Sequence, residues 1–274
     1  MNLSDIYVVG HMPATVTDNA VTEAEMALGT RFPVGYREYI TALGDGVYND
    51  WVSIFTPSAI IDGNTEFQER WSWLAAGGDY DGYQGFDQFP VTRLLESIAL
   101  FDTRSGDECV FHPTQPAELY VIPREDPIVY KIGGTLADAL HWITESGVLR
   151  PRFRVRTLTV EGDLVDRQVV YFEPNLDRVT ERFALVGPAA YERLREVLIK
   201  MALAAGNEML LIEQTNLDDS VGRQSLILLM VECRGKVRCL PRPDGISVSV
   251  SYDPTSRINN LDRVVDYLEN AANL

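Results

Sequence analysis

Between residues 97 and 133 four short apolar-rich runs follow one another: SIALFDT (97–103), ECVFHP (108–113), AELYVIP (117–123) and PIVYKIG (127–133). Turn formers separate them: Arg104-Ser105-Gly106-Asp107, Thr114-Gln115-Pro116 and Arg124-Glu125-Asp126-Pro127. Short runs broken by turn clusters this brief predict an antiparallel meander. Thr135 and Asp138 then form a variant of the capping box. They open a helix with Leu136, Ala139, Leu140 and Ile143 on its buried stripe.

Upstream, Thr17 or Asp18 caps a first helix that Gly29 ends. Val21, Ala24, Met26 and Leu28 supply its apolar face, and Glu23 and Glu25 face water. In the second helix Pro33 suits the first turn, where a missing N–H costs nothing. Tyr36, Tyr39, Ile40 and Leu43 follow at helical spacing, and Gly44-Asp45-Gly46 closes it in a turn. The segment 51–60 predicts a short strand, and 64–75 a helix with Phe67, Trp71 and Leu74 along one side.

Residues 21–46, VTEAEMALGTRFPVGYREYITALGDG, resemble the opening of the SUKH superfamily. The shared pattern is an acidic helix ending in Leu28-Gly29, then Phe32-Pro33, then a helix with Tyr36 and Tyr39-Ile40, then a glycine turn at Gly44/Gly46. Gly35, where a better helix former is usual, and Gly-Asp-Gly in place of Asn-Gly-Gly depart from it. The order of elements that follows, closed by a helix after the last strand, extends the resemblance over about residues 15–148. It implies an α+β binding module without shared catalytic residues. Most bacterial members are immunity proteins that bind and block a toxin, often a nuclease, encoded beside them. Others are regulators of the cell wall in yeast-like proteins.

Pro151 and a change of charge mark a boundary. Residues 152–160 and 167–173 alternate polar and apolar positions around Glu161-Gly162-Asp163 and predict a hairpin. Residues 188–205 predict a helix begun by Pro188, with Tyr191, Leu194, Val197, Leu198 and Met201 on its stripe. Strands are expected in 208–214, 224–233, 236–241 and 246–252, and a terminal helix over 260–272. The expected fold class is α+β: a SUKH-like antiparallel sheet with flanking helices in 1–150, then a second α+β domain in 151–274.

Charge divides the same way. Residues 1–150 hold 8 Lys/Arg against 22 Asp/Glu, a net −14, whereas 151–274 hold 16 against 18, a net −2. Such a field repels nucleic acid and anionic membrane and attracts basic partners. No window approaches 18 consecutive apolar residues. Met1-Asn2-Leu3-Ser4-Asp5 has no basic region before an apolar core, so the cytoplasm is the expected compartment. Cys109, Cys233 and Cys239 are odd in number and lack zinc-site spacing, which suits thiols in a reducing compartment.

Constellations that carry chemistry are sparse. The histidines are His11, His112 and His141. Cys109-x-x-His112 has too few companions for a metal, and His141 with Glu145 fits a helix-surface pair better than a ligand set. The glycine-rich stretches 77–85 and 132–140 lack the Lys or Arg of a phosphate cradle. Asp79-x-Asp81-Gly82 lacks the register of a calcium loop. No catalytic residue, metal or cofactor is expected.

The segment from Glu66 to Phe89 interleaves carboxylates with aromatics, which steer and anchor partners respectively. Phe67 and Trp71 fit a buried helix stripe. Asp79, Tyr80, Asp81, Tyr83, Phe86 and Asp87 are the candidate contacts to a basic protein partner. Two alternatives remain. One is an enzyme whose site lies in 151–274, where Arg152, Arg154 and Arg156 alternate on one strand face and could bind an anion, with the SUKH-like part as a targeting module. The other is a regulatory scaffold without a toxin partner.

Overall fold

The computed structural model describes residues 3–9, 16–77, 89–167, 169–175, 179–186, 190–205, 209–218, 224–230, 235–252, 264, 266 and 267. Its helices and antiparallel ladders make a mixed α+β protein. Two compact units divide the chain: Met1–Asp5 with Met12–Arg150, and Ile6–His11 with Pro151–Leu274. The first strand, β1 (Ile6–Val8), thus belongs to the second unit.

The first unit runs α1 (Asp18–Leu28), α2 (Tyr36–Leu43), β2 (Gly46–Tyr48), β3 (Val52–Ile54), α3 (Pro57–Ala76), α4 (Val91–Leu95), β4 (Ile98–Thr103), β5 (Glu108–His112), β6 (Gln115–Ile122), β7 (Tyr130–Gly133) and α5 (Leu136–Glu145). Strands β2 to β7 pair in sequence, each antiparallel to the last. The meander of 97–133 forms its last four strands. The β2–β3 turn places Asn49 and Asp50 at φ 49° and 59°, left-handed values that these two residue types tolerate well.

Local chemistry sets the helix ends. Thr17 Oγ1 accepts the Ala20 N–H at 3.2 Å, and Gly29 closes α1 in the left-handed region. Val21 and Ala24 of α1 are buried, but Met26 is exposed. Glu25 does not simply face water. It accepts the Phe32 N–H at 3.1 Å and pairs with Arg37 at 2.8 Å, so it ties α1 to the start of α2.

Pro33 is not in the first turn of α2. The helix starts at Tyr36, after Gly35 at φ 89°, while Val34 forms a bridge to Thr135. That conformation explains a glycine where a helix former was expected. Thr135 and Asp138 complete a reciprocal capping box, and Leu136, Ala139, Leu140 and Ile143 are fully buried.

The second unit runs β8 (Phe153–Leu158), β9 (Leu164–Asp166), β10 (Val170–Pro174), β11 (Val179–Val186), α6 (Ala190–Ala205), β12 (Met209–Asn216), β13 (Gln224–Met230), β14 (Gly235–Arg242) and β15 (Gly245–Tyr252). Its antiparallel sheet has the order β11-β15-β14-β13-β12-β8-β9. Leu194, Leu198 and Ala202 of α6 pack on one face, with Leu211, Leu228, Val237 and Val248. Ile212, Ile227 and Leu229 point to the opposite face and pack with Val9 and Tyr171. Gly245 lets β15 approach β11, because a Cβ there would lie 2.0 Å from the Leu185 carbonyl oxygen.

The expected hairpin of 152–160 with 167–173 is half right. β8 closes on β9 through Arg156↔Asp166, Thr157↔Val165 and Leu158↔Leu164. Residues 170–174 instead form β10, which pairs parallel with β1 through Ile6↔Val170, Tyr7↔Tyr171 and Val8↔Phe172. Tyr171, Phe172, Glu173 and Pro174 are all buried, a pattern of a strand covered on both faces rather than a hairpin arm. Sequence patterning misses β11 and β1. Pro188 and most of the expected terminal helix lie outside the described residues, of which Val264, Asp266 and Tyr267 are helical. Among the described residues no helix is long and apolar enough to cross a membrane.

Candidate partner interface on the first unit

The long helix α3 organises the acidic-aromatic region. Thr56 Oγ1 accepts the Ala59 N–H at 3.3 Å, and Pro57 occupies the first turn. The helix therefore begins seven residues before position 64, the start expected from periodicity. The Thr56-Pro57 pair is the signal that places it.

One side of α3 is core. Phe67 and Trp71 pack with Phe89, Leu94, Val110, Tyr120, Ile122 and Val129. The Trp71 indole N–H donates to Glu108 at 3.0 Å, and Arg70 also pairs with Glu108. The Arg70 guanidinium lies 5.7 Å from the Phe67 ring centroid. Glu108 thus receives two donors from consecutive residues of α3 and fixes the rotation of the helix.

Asp102 sits directly opposite Glu108 on the neighbouring strand. Burial, then the charge of Glu108, pushes the Asp102 carboxyl up to about 6. Glu118 has the contrary environment. Hydrogen bonds from Lys131 and then Arg93 hold it down at about 2. Arg93 also lies over the Phe89 and Tyr120 rings, at 5.5 and 5.3 Å.

The other side of α3 is solvent. Asp62, Glu66 and Glu69 are exposed, and Trp73 is 71% exposed. Trp71 and Trp73 are two residues apart, yet one is core and the other surface. Elsewhere in the unit Arg37, Arg70, Arg93, Arg104 and Lys131 each pair with a carboxylate: Asp18 and Glu25, Glu108, Glu118, Asp50, and Glu118. No described residue pairs with Asp62, Glu66 or Glu69. The candidate contacts Asp79, Tyr80, Asp81, Tyr83, Phe86 and Asp87 lie outside the described residues. Asp62 precedes the helix that periodicity predicts over 64–75, so local spacing gives no sign that it shares a face with Glu66 and Glu69.

The remaining candidates resolve locally. His112 contacts Thr114 at 2.9 Å and Glu96 at 3.1 Å, while Cys109 is buried. His141 is exposed on α5. No cluster of three metal-binding side chains occurs among the described residues. Cys233 is outside them, and Cys239 is a buried thiol.

Arg152, just before β8, and Arg154 and Arg156 within it are each paired with a carboxylate. Arg152 bonds Asp218 at 3.1 Å, Arg154 grips Asp166 through two bonds of 2.9 Å, and Arg156 pairs with Glu213. Arg195 of α6 reaches the other oxygen of Glu213 at 3.0 Å, so a buried carboxylate is held between two guanidiniums. Each of these guanidiniums already faces a carboxylate, which offsets its charge.

Comparison of the chain with family models, with curated proteins and with solved structures finds no match to any.

Proposed function

We propose that the protein is a non-catalytic binding protein of the cytoplasm, an immunity protein that neutralises a cognate bacterial toxin by occluding it. Its first unit is the binding module. The partner is a basic protein, and a nuclease with a cationic phosphate-binding cleft is the class that fits best. The SUKH-like order of Leu28-Gly29, Phe32-Pro33, Tyr36 and Tyr39-Ile40 supports the module, and charge carries the mechanism. Residues 1–150 hold a net −14 against −2 in the rest of the chain. A one-signed field of that kind accelerates association with a basic partner and disfavours nucleic acid and anionic membrane.

Co-expression with the protein encoded by the adjacent gene tests this reading. Rescue of growth and a stable complex are expected. A neighbour that is neither toxic nor bound by the chain sinks it. Association should also slow steeply as salt rises from 50 to 500 mM, because screening shortens the reach of surface charge from about 14 Å to about 4 Å.

A further inference from the structure

We propose that the outer ridge of α3 is the docking element, and that it lies in a cationic groove of the partner protein with Trp73 as its apolar anchor. This inference rests on the first unit being a binding module and names the surface it uses.

The ridge follows from spacing. Asp62, Glu66, Glu69 and Trp73 stand at intervals of 4, 3 and 4 residues. At 3.6 residues per turn they share one face of α3, along about 16 Å of helix at 1.5 Å per residue. The stripe of Ile60, Phe67 and Trp71 is buried. Its clamp to Glu108 holds the ridge outward. Anchors at i, i+4, i+7 and i+11 are the pattern of a helix laid into a groove.

Three observations describe the occupant: its charge, its apolar contact and its close approach. First, the ridge carries three carboxylates without an ion-pair partner among the described residues. Arg70, the one basic residue of α3, is drawn away to Glu108 and over Phe67. Second, Trp73 is a large aromatic left in water at the end of that ridge, 71% exposed. Aromatic anchors ringed by charge are where interfaces concentrate their affinity.

Third, Gly63 stands inside the helix beside Asp62, and a Cβ there would meet nothing within 4 Å. It is absent from the positive-φ residues, so neither backbone conformation nor packing within the unit calls for glycine. A groove wall approaching closely does. A second copy of the chain would bring the same carboxylates and be repelled.

The test uses the full chain and the purified adjacent-gene protein as probe, with affinity and association rate read by surface plasmon resonance. Trp73→Ala should weaken binding at least 10-fold through dissociation. The double variant Glu66→Lys/Glu69→Lys should slow association about 10-fold and flatten its salt dependence. Glu23→Lys/Glu38→Lys alters net charge equally on exposed positions of α1 and α2 and should change affinity less than 3-fold. Gly63→Leu should weaken binding while leaving the fold intact by circular dichroism.

If the probe binds wild type and all ridge variants equally, the ridge proposal is overturned and the binding-module reading stands. If wild type does not bind, both fall. If Trp73→Ala changes the oligomeric state of the chain alone, self-association is the occupant and the cationic groove is overturned.

Discussion

The two units handle charge in opposite ways. In the second, Arg152 and the β8 arginines Arg154 and Arg156 are each matched to a carboxylate, and Glu213 is buried between Arg156 and Arg195. In the first, five basic side chains are matched to inner or flanking carboxylates, and the acids of the α3 ridge have no ion-pair partner among the described residues. Paired charge locks structure. Unpaired charge of one sign on a helix locks nothing within the unit and stays open to screening by solvent and salt. A strand of alternating arginines and a helix of spaced glutamates look equally available in a sequence, but among the described residues the arginines have ion-pair partners and Glu66 and Glu69 have none.

Substitutions can break this contrast. The largest effect is expected at Trp71. Trp71→Ala empties part of the core under α3 and removes a donor to Glu108, and should cost about 4 kcal/mol in denaturant unfolding. Trp73→Ala, two residues away, should cost less than about 0.5 kcal/mol. Similar losses at both positions would mean that Trp73 is a structural residue rather than a surface one.

Glu213→Gln comes next. It keeps shape but strands two arginines beside a neutral amide, and should cost about 3 kcal/mol in the second unit. A loss below about 1 kcal/mol would show that the Arg156–Glu213–Arg195 cluster is held by packing, not charge.

Asp102→Asn sharpens the comparison through pH. The folded carboxyl titrates at about 6, above the unfolded value near 4. The folded state therefore binds a proton that the unfolded chain releases between those values. Stability from this group is full below pH 4, falls as pH rises through 6, and stays low above it. The asparagine variant should melt about 3 °C higher than wild type at pH 8 and no higher at pH 4. A difference that does not depend on pH would rule out the Asp102–Glu108 repulsion as its cause.

The smallest effect is a gain. Gly63→Ala should stabilise the first unit by about 0.5–1 kcal/mol, because alanine loses less backbone freedom in a helix and meets open space. A loss would mean that the helix interior at Gly63 is more crowded than its surroundings indicate.

Much of the local structure was legible. The β4–β7 strands, the Thr17 cap and the capping box at Thr135 lie where residues a few positions apart place them. The buried side of α3 was legible too, since Phe67 and Trp71 stand one turn apart. The length of α3 was not. Gly63 and Asn64 break the propensity pattern, and Thr56-Pro57 falls inside the segment 51–60 whose pattern predicts a strand. Of the candidate interface, Glu66 and Glu69 lay within the segment singled out from sequence, and Asp62 did not.

Sequence alone determined the turns of the β4–β7 meander, the helix caps at Thr17 and Thr135, the mixed α+β class and the concentration of acid in the first 150 residues. These depend on bonds within one turn of chain or on composition. Tertiary structure alone decided which charges are neutralised and which strands meet over long distances. Arg156 found Glu213 and Arg154 found Asp166 because strands brought them together. Ile6–Val8 found Val170–Pro174 across more than 160 residues, a parallel pairing that neither strand announces by itself. A charge's availability depends on what folding places beside it, and local spacing carries no record of that.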